Sequence, residues 1–291
     1  MKYKNIGAVV ILYFPDNDLV SVLIDKLLND VGIVYLIDNT PHVINDFFVG
    51  VSKRKEGTLI YLPLNKNLGI AEALNIGIKK VLYKSFKEFV ILFDQDSIPD
   101  SDMIGNLLDA HTKIYNMGIN IAAVGPLAIN RDTNKAYKPR VFKGKYISNN
   151  IIEKREIISS GSLIHRSAIE AVGYMDSEMF IDGVDFEWCW RASNKGYNSF
   201  LCEESLLEHK LGEFDRKFMG FNIAIPSPIR CFYQYRNYLK LLRINYVPLS
   251  WKLINFFKYL VKLFYYPIFL KEKSTYVNNI YNGIRAGFKG N

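Results

Sequence analysis

Cysteine is scarce in this chain, and internal repeats and low-complexity tracts are absent. The three cysteines, Cys189, Cys202 and Cys231, show no CxxC spacing, so neither a disulfide scaffold nor a thiolate zinc site is expected. Ten prolines and 19 glycines in 291 residues exclude collagen-like and linker-dominated chains. The 49% of hydrophobic and 23% of charged residues predict a folded protein, and the cysteine usage favours a reducing, cytoplasmic compartment.

Apolar runs rich in β-branched residues alternate with helix-compatible stretches in the first third of the chain. The predicted strands are Ile6–Leu12, Ile33–Ile37, Thr58–Leu62 and Phe89–Phe93, and the predicted helices are Asp18–Asn29 and Gly69–Leu82. The first run lacks a small-residue cleavage pattern, so we expect a buried strand there and not a signal peptide. Because the runs are apolar throughout, the expected core is an α/β fold with a mostly parallel sheet and flanking helices.

Polar residues follow three of the predicted strands directly. These segments are Asp38-Asn39-Thr40, Asn65-Lys66-Asn67 and Asp94-Gln95-Asp96-Ser97. Ligands of parallel sheets bind outside the carboxyl ends of the strands, so we expect the three segments to line one crevice.

The pair Asp94 and Asp96 is the most informative of these polar residues. Two carboxylates one residue apart can reach one hard cation and its phosphate ligands, and Mg²⁺ or Mn²⁺ would neutralise a diphosphate leaving group there. The alternative is a turn with solvated side chains or a helix cap. We favour the metal site.

The segment from Asn65 to Gly77 carries small residues on one side of a predicted helix. Small residues permit a close backbone approach or tight helix–sheet packing, and packing alone would also explain them. Asp38, taken by itself, is compatible with ordinary turn chemistry after a strand.

Three acids stand at a predicted helix start between Phe180 and Arg191. A structural interpretation makes Asp182 the N-cap and Asp185 a capping-box-like acid three residues later. A functional interpretation makes one of them a general base that faces the crevice. Since a capping box normally uses Glu or Gln, we favour Asp185 as the base and keep Asp182 as the rival.

His209 is one of four histidines and precedes Lys210-Leu211-Gly212. A lone histidine is more often structural than a metal ligand, so the sequence pattern alone does not assign it to the metal.

The positive charge is concentrated at the end of the chain. From Arg230 onward there are eleven Lys and Arg against the single acid Glu272, whereas the preceding residues are nearly neutral. The charge balance changes close to Pro226 and Pro228, which interrupt regular secondary structure. We therefore predict a catalytic domain over residues 1–225 and a basic, amphipathic helical region over residues 226–291.

The segment from Trp251 to Tyr266 separates into two sides on a helical wheel. Lysines, Asn255 and the amphipathic rings share one side, and eight apolar residues share the other. Three lysines make a membrane-spanning helix costly, so we favour a helix in the plane of an anionic membrane surface. The alternative is that the apolar side packs on the preceding domain. A nucleic-acid role is disfavoured because no nucleic-acid-binding motif accompanies the charge.

The order of these segments, over roughly residues 5–245, resembles family 2 glycosyltransferases of the GT-A fold. The resemblance implies that Asp38 contacts the nucleobase of a sugar nucleotide, and that Asn65 and Gly69 begin the helix beside the donor. It also implies that Asp94 and Gln95 lie on the donor side. Asp94 and Asp96 match the DXD metal motif, Asp185 matches the base, and His209 matches a late histidine that completes metal binding.

Several blocks are similar to bacterial rhamnosyltransferases of cell-surface polysaccharide assembly. They are Asp94 to Ser97, Phe180 to Arg191, His209 to Gly212 and Tyr233 to Asn237. This branch implies dTDP-L-rhamnose as donor, a lipid-linked saccharide acceptor and a location on the inner face of the cell membrane. Val184 stands where an acid often precedes the base, and Thr40-Pro41 replaces a small residue near the nucleobase pocket.

Three rival functions remain at this point. A family 2 enzyme with a UDP-sugar donor would keep the same motifs. A nucleotidyltransferase would need a basic, Gly-rich triphosphate loop after the first strand, and Tyr13-Phe14-Pro15-Asp16 has neither Gly nor Arg, so this function is disfavoured. A membrane-peripheral scaffold with a decayed site is disfavoured by the intact Asp94, Asp96 and Asp185.

Overall fold

The structure is a computed structural model of the chain. It describes residues 2–131, 133, 135–136, 144–209, 216–218, 221–223, 225–270 and 272–289.

The first half of the chain alternates strands and helices, as the apolar runs predict. In order, the elements are β1 (Tyr3–Leu12), α1 (Asn17–Asp30), β2 (Val31–Asp38), α2 (Asp46–Arg54), β3 (Leu59–Pro63), α3 (Gly69–Lys79), a π-helical turn (Lys80–Lys84), β4 (Phe89–Asp94), β5 (Ile98–Pro99) and α4 (Met103–Asn116). Each predicted strand and helix is present. The sequence pattern did not predict α2, whose start is capped by the Asn45 side chain accepting from the Phe47 amide.

The second half adds shorter strands and then helices. In order, the elements are β6 (Ile121–Asn130), β7 (Lys145–Ser148), β8 (Ile151–Lys154), β9 (Leu163–His165), α5 (Arg166–Val172), a 3₁₀ turn (Ser177–Met179), α6 (Val184–Asn194), β10 (Asn198–His209), β11 (Arg216–Phe218), β12 (Phe221–Ile223), α7 (Pro228–Leu242), α8 (Leu249–Phe269) and α9 (Lys273–Lys289).

The main sheet has the strand order β3-β2-β1-β4-β9-β6-β10-β8-β7, and β5 pairs with β10. The strands β3, β2, β1 and β4 are parallel, β9 is antiparallel to β4 and β6, and β10 runs parallel to β6. The predicted mostly parallel sheet is thus confirmed. The carboxyl ends of β1, β2 and β4 meet at one edge, where the polar segments lie.

Two apolar cores cover the two faces of the sheet. Alternate residues of β1 point to opposite sides, so that Val9 and Ile11 join α3, α5 and α6, whereas Val10 and Leu12 join α1, α2 and α4. Strands buried on both faces explain why the runs are apolar throughout.

The C-terminal helices form a third apolar cluster and also contact helix α6 of the preceding α/β part of the chain. Glycines allow α7 and α9 to pack closely, because a Cβ at Gly283 would lie 2.4 Å from the Phe232 carbonyl oxygen. The Tyr246 hydroxyl donates to Glu187 of α6 at 2.6 Å, and the Trp251 ring packs edge-on against Trp190 at 5.0 Å.

Helix α8 packs with its polar side towards the protein. Asn255, Lys262 and Tyr266 are buried there. The apolar side is 36% to 63% exposed at Leu253, Ile254, Phe256, Phe257, Leu260, Val261, Leu263 and Phe264. The alternative that the apolar side packs on the preceding domain is therefore wrong.

Polar contacts explain this inverted packing. The Lys252 ammonium donates to the carbonyl oxygens of Leu242 and Ile244, at and just beyond the end of α7. The Tyr235 and Tyr238 hydroxyls donate to carbonyl oxygens of α8. Because buried carbonyls and hydroxyls need partners, these bonds favour the polar side inward. Within the described residues, no helix is both long and apolar enough to cross a bilayer.

Candidate active site

Two of the strand-end segments are joined at the carboxyl edge of the sheet. The Asn39 amide donates to the Leu12 carbonyl at 2.8 Å, and the Leu64 amide donates to the Asp38 carbonyl at 2.8 Å. These bonds continue the β1–β2 and β2–β3 ladders past the strand ends. They hold the polar segments after β2 and β3 in fixed positions around the crevice.

Asp38 lies at the end of β2 and is only 1% exposed. One carboxylate oxygen accepts from the Thr40 amide at 3.0 Å, and the other accepts from the Tyr61 hydroxyl at 2.7 Å. Burial and this hydrogen bond raise the pKa of Tyr61, which therefore stays protonated as a donor. The sequence pattern did not identify Tyr61, because it lies on β3 with no motif around it.

The segment from Asn65 to Gly69 turns sharply into α3. Asn65 has a left-handed backbone with φ of 57°, and the Asn39 side chain bridges to Asn67 and to the Leu68 amide. Gly69 has φ of 81°, and a Cβ there would lie 2.6 Å from the Phe180 ring and carbonyl oxygen. Gly69 thus permits the close approach of the segment that precedes α6.

Asp94, Asp96 and His209 lie close together in space. They are far apart in the sequence, because Ser97, which directly follows Asp96, is 112 residues before His209. Each of the three side chains offers one atom that could bind a metal ion, and these three atoms all lie within 4.8 Å of one another. The Nε2 of His209 is 3.9 Å from Asp94, and its Nδ1 is 3.5 Å from Asp96. Two carboxylate oxygens and one imidazole nitrogen suit Mg²⁺ or Mn²⁺, so the residues fit a divalent cation.

The electrostatics of this cluster also fit a cation. Burial and the neighbouring Asp96 raise the pKa of Asp94 to about 7. Burial lowers the pKa of His209, although the charge of Asp96 opposes this shift. A cation between the carboxylates would remove their repulsion and favour the ionised acids and the neutral imidazole.

Two buried serines orient the cluster from behind. The Ser97 hydroxyl is 2.8 Å from His209 Nδ1 and 2.7 Å from the Ser160 hydroxyl. The Ser160 hydroxyl in turn accepts from the Asp94 amide at 3.1 Å. A hydrogen bond at one ring nitrogen orients the imidazole, so this chain of bonds couples His209 to the metal-site backbone. Nothing in the sequence indicated Ser160.

Asp185 lies in the first turn of α6, close enough to Asp94 for the charge of Asp94 to act on it. Burial raises the pKa of Asp185 to about 6, and the charge of Asp94 adds to this shift. Backbone amides, including that of Phe186 at 3.0 Å, oppose it. Asp185 also lines a small apolar cavity together with Ile157, Met175 and Trp188.

Asp182 has a different environment. Its carboxylate oxygens accept from the guanidinium of Arg230, with Nε at 3.2 Å. The prediction that Asp182 is the N-cap is wrong, because Gly183 holds that position with φ of 88° and no side-chain cap. Arg230 lies 48 residues further along the chain, so the local sequence around Asp182 could not predict this contact.

The segment from Phe180 to Gly183 is clamped from two sides. Phe180 and Asp182 have left-handed backbones with φ of 62° and 66°, which non-glycine residues adopt only when their surroundings impose it. The Phe180 carbonyl accepts from the Ile70 amide of α3 at 2.7 Å. On the other side its ring stacks on Tyr233 of α7 at 4.4 Å.

Asn237 of α7 completes the clamp. Its buried side-chain amide donates to the carbonyl oxygens of Met179, Ile181 and Asp182 at 2.8 to 3.0 Å. Helix α7 therefore holds the backbone that leads into Asp185, and the basic C-terminal region takes part in shaping the site.

The sequence of residues 37–173 matches the family described as "Glycosyl transferase family 2". The chain is 34% identical over 255 residues to the dTDP-rhamnosyl transferase RfbF of Shigella flexneri, and the match covers 84% of this chain and 82% of that protein. The chain belongs to glycosyltransferase family 2. This membership overturns the nucleotidyltransferase alternative.

Solved glycosyltransferases share the fold of this family 2 enzyme. S. aureus TarS 1-349 in complex with UDP superposes with a TM-score of 0.59 at 13% identity, covering 98% of this chain and 81% of that one. The mannosyltransferase PcManGT from Pyrobaculum calidifontis, in complex with GDP-Man and Mn²⁺, gives a TM-score of 0.54 at 13% identity, covering 100% and 77%. The predicted GT-A fold is confirmed.

In this glycosyltransferase the Gln95 side chain ties two strand ends together. Its oxygen accepts from the Tyr13 amide at 2.7 Å, and its nitrogen donates to the Tyr13 carbonyl at 3.1 Å. The role of Gln95 in donor binding stays a prediction. The exposed rings of Tyr13 and Phe14 lie beside it, and the sequence pattern used them only to discount a triphosphate loop. Lys210, Leu211 and Gly212 lie outside the described residues.

Proposed function

We propose that this family 2 glycosyltransferase moves L-rhamnose from dTDP-L-rhamnose to a saccharide acceptor in bacterial cell-surface polysaccharide synthesis. The observation that carries the donor assignment is the 34% identity to a dTDP-rhamnosyl transferase over most of both chains. The converging Asp94, Asp96 and His209, together with the electrostatic effect of Asp94 on Asp185, support a working catalytic site and argue against a scaffold.

Asp94, Asp96 and His209 would hold the metal ion, Mg²⁺ or Mn²⁺. The bound ion supplies charge neutralisation for the diphosphate of the leaving nucleotide. The Ser97 and Ser160 hydroxyls keep the His209 ring in place beside both acids. On the donor side, Asp38, Asn65, Gly69, Asp94 and Gln95 are the proposed contacts, with Asp38 at the nucleobase.

Asp185 would act as the general base. Its carboxylate takes the proton of an acceptor hydroxyl as that oxygen bonds to the anomeric carbon from the face opposite the diphosphate. The bond from the anomeric carbon to the diphosphate oxygen breaks, and its electron pair leaves with dTDP, which inverts the configuration. Since the raised pKa of about 6 lies near neutral pH, Asp185 is ionised at pH 7 but still accepts a proton well.

Asp185 fits this role better than Asp182. The Asp182 oxygens are engaged by the Arg230 guanidinium, whereas the charge of Asp94 acts directly on Asp185. A general base must reach the acceptor hydroxyl at the anomeric carbon of the donor, and the electrostatic effect of the proposed metal ligand Asp94 on Asp185 indicates that Asp185 lies near the donor site.

A panel of nucleotides and nucleotide sugars tests the donor. Because a ligand that binds only the folded state stabilises it, dTDP-L-rhamnose with Mn²⁺ is expected to raise the unfolding midpoint by roughly 5 °C at 100 times its dissociation constant. UDP-sugars are expected to shift the midpoint less. A larger shift with UDP ligands would keep the glycosyltransferase but overturn the rhamnose assignment, and no shift with any nucleotide would favour the scaffold.

We further propose that the enzyme is peripheral on the cytoplasmic face of the membrane and acts on a lipid-linked acceptor. The contiguous exposed apolar side of α8 supports this, since monomeric proteins rarely expose such a surface without a partner. The exposed basic residues of this helix and the next one, such as Lys258, Lys273 and Lys289, add attraction to anionic lipids.

Substitutions on the exposed side of α8 test membrane binding. The triple variant Phe257→Ser, Val261→Ser and Phe264→Ser removes side chains that are 54% to 63% exposed. Binding to anionic phosphatidylglycerol vesicles, measured by co-sedimentation, is expected to weaken by at least about tenfold. The double variant Phe86→Ser and Tyr115→Ser, which removes exposed rings elsewhere, serves as the control and should bind normally. Equal binding of the triple variant would overturn the membrane assignment.

Point variants are needed here because deletion of the C-terminal helices would damage the site. Helix α7 supplies Arg230, Tyr233 and Asn237 to the segment before Asp185.

A further inference from the structure

Lys262 is a cation buried on the protein-facing side of α8. Only 9% of the surface of Lys262 is exposed to solvent. The ammonium group lies 3.4 Å from the Gln234 side-chain oxygen and about 6 Å from the ring centres of Tyr259 and Tyr266. Within the described part of the chain, no ion pair includes Lys262.

Burying an ammonium group without an acid is unfavourable, and Lys262 shows the consequence. Burial lowers the pKa of Lys262 to about 8, and the charge of Lys258 one turn earlier adds to the shift. Lysines four residues apart on one helix repel each other. A structural role alone would be served better by a neutral side chain of similar length.

Lys262 belongs to a wider group of charges. Lys258, Arg230 and Asp182 all act electrostatically on Lys262. Asp182 already accepts from Arg230. The group therefore contains three cations and one acid, and an anionic ligand would balance its net positive charge.

The position of this group indicates which anion it takes. Asp182 belongs to the clamped segment that leads into Asp185, so the cations lie beside the segment that carries the proposed base. The opposite side of the same α8 turns is the exposed apolar surface. A ligand with a phosphate next to a lipid tail and a sugar would match all three features.

We propose that Lys258, Lys262 and Arg230 form a subsite for the phosphate or diphosphate group of a lipid-linked acceptor. This inference rests on the proposed function, because it assumes a lipid-linked saccharide as acceptor. Phosphate oxygens would take the place of the missing acid beside Lys262, with charge-assisted hydrogen bonds from the ammonium groups. The subsite would anchor the acceptor so that its sugar hydroxyl reaches Asp185.

Binding of farnesyl diphosphate to the full-length protein tests the subsite. Saturating dTDP and Mn²⁺ are present, so that the donor site is already occupied. Lys262→Met removes the charge at nearly constant length and is expected to weaken farnesyl diphosphate binding by at least about tenfold. Lys262→Arg is expected to retain most of the affinity, and Lys273→Met, an exposed lysine of α9, should bind like the wild type.

Two further measurements separate the sources of the signal. Farnesol, which lacks the phosphates, should bind wild type and Lys262→Met equally. Phosphatidylglycerol vesicles should also bind both proteins equally. If Lys262→Met weakened vesicle binding but not farnesyl diphosphate binding, the cations would contact phospholipid headgroups and the proposal would be overturned.

The outcomes also distinguish this proposal from the proposed function. Unchanged farnesyl diphosphate binding by folded Lys262→Met, with a normal dTDP-L-rhamnose shift, would refute the subsite alone. If dTDP-L-rhamnose did not raise the unfolding midpoint of the wild type, the donor assignment would be refuted instead.

Discussion

Replacing Asp185 by asparagine is expected to reduce the transfer rate by about 10²- to 10⁴-fold, the range typical of a lost general base. The amide keeps the size of the carboxylate but cannot take the acceptor proton. Donor binding should persist, because the proposed donor contacts lie on other segments. Rhamnose transfer measured by single turnover, together with dTDP-L-rhamnose binding, checks both parts.

Asp182→Asn is the matched control for this experiment. It weakens the contact with Arg230 and is expected to lower the rate far less than Asp185→Asn. The reverse order of effects would make Asp182 the base. In the metal-loaded wild type, the rate should fall as the pH drops to about 6 and below, because burial raises the pKa of Asp185 to about 6 and a bound cation lowers it from that value.

The second large effect is expected for the double variant Asp94→Asn and Asp96→Asn. Metal ions contribute several kcal/mol of transition-state stabilisation, so we expect a loss of roughly 10³-fold in the transfer rate. The Mn²⁺-dependent increase of the unfolding midpoint with dTDP should disappear as well. Asp102→Asn, an exposed acid just before α4, should behave like the wild type in both measurements.

The stability of the metal-free protein provides an independent signature of Asp94. The pKa of this carboxyl is raised in the folded protein, so the folded state binds its proton more tightly than the unfolded chain does. The contribution of Asp94 to stability is therefore lost as the pH rises from about 4 through about 7. Asp94→Asn should raise the midpoint of the metal-free protein at about pH 8. A lower midpoint, with Mn²⁺ dependence retained, would contradict the assignment of Asp94 as a metal ligand.

The sequence alone predicted the fold class and the edge of the sheet that carries the site. Strands buried on both faces leave uninterrupted apolar runs, and parallel strands bring their carboxyl ends together. These two rules are sufficient to bring Asp38 and Asp94 to one edge. The order of the motifs also identified the family, which the similarity to known glycosyltransferases confirmed.

Long-range partners were not predictable from the sequence. The capping interpretation of Asp182 rested on its local position, whereas Arg230 engages its carboxylate from α7. Ser160 carries no motif, yet it links Asp94 to Ser97 and through it to His209. Hydrogen bonds between distant segments depend on the sheet order, which a local pattern does not contain.

The helical wheel of α8 shows the difference most clearly. By itself the sequence determined that lysines and amphipathic rings share one side and large apolar residues the other. Only the tertiary structure decided which side faces the protein. Buried hydroxyls of Tyr235 and Tyr238 need acceptors, and carbonyls at the end of α7 need the Lys252 donor. Those requirements turn the polar side inward, so that the apolar side remains exposed and Lys262 becomes buried.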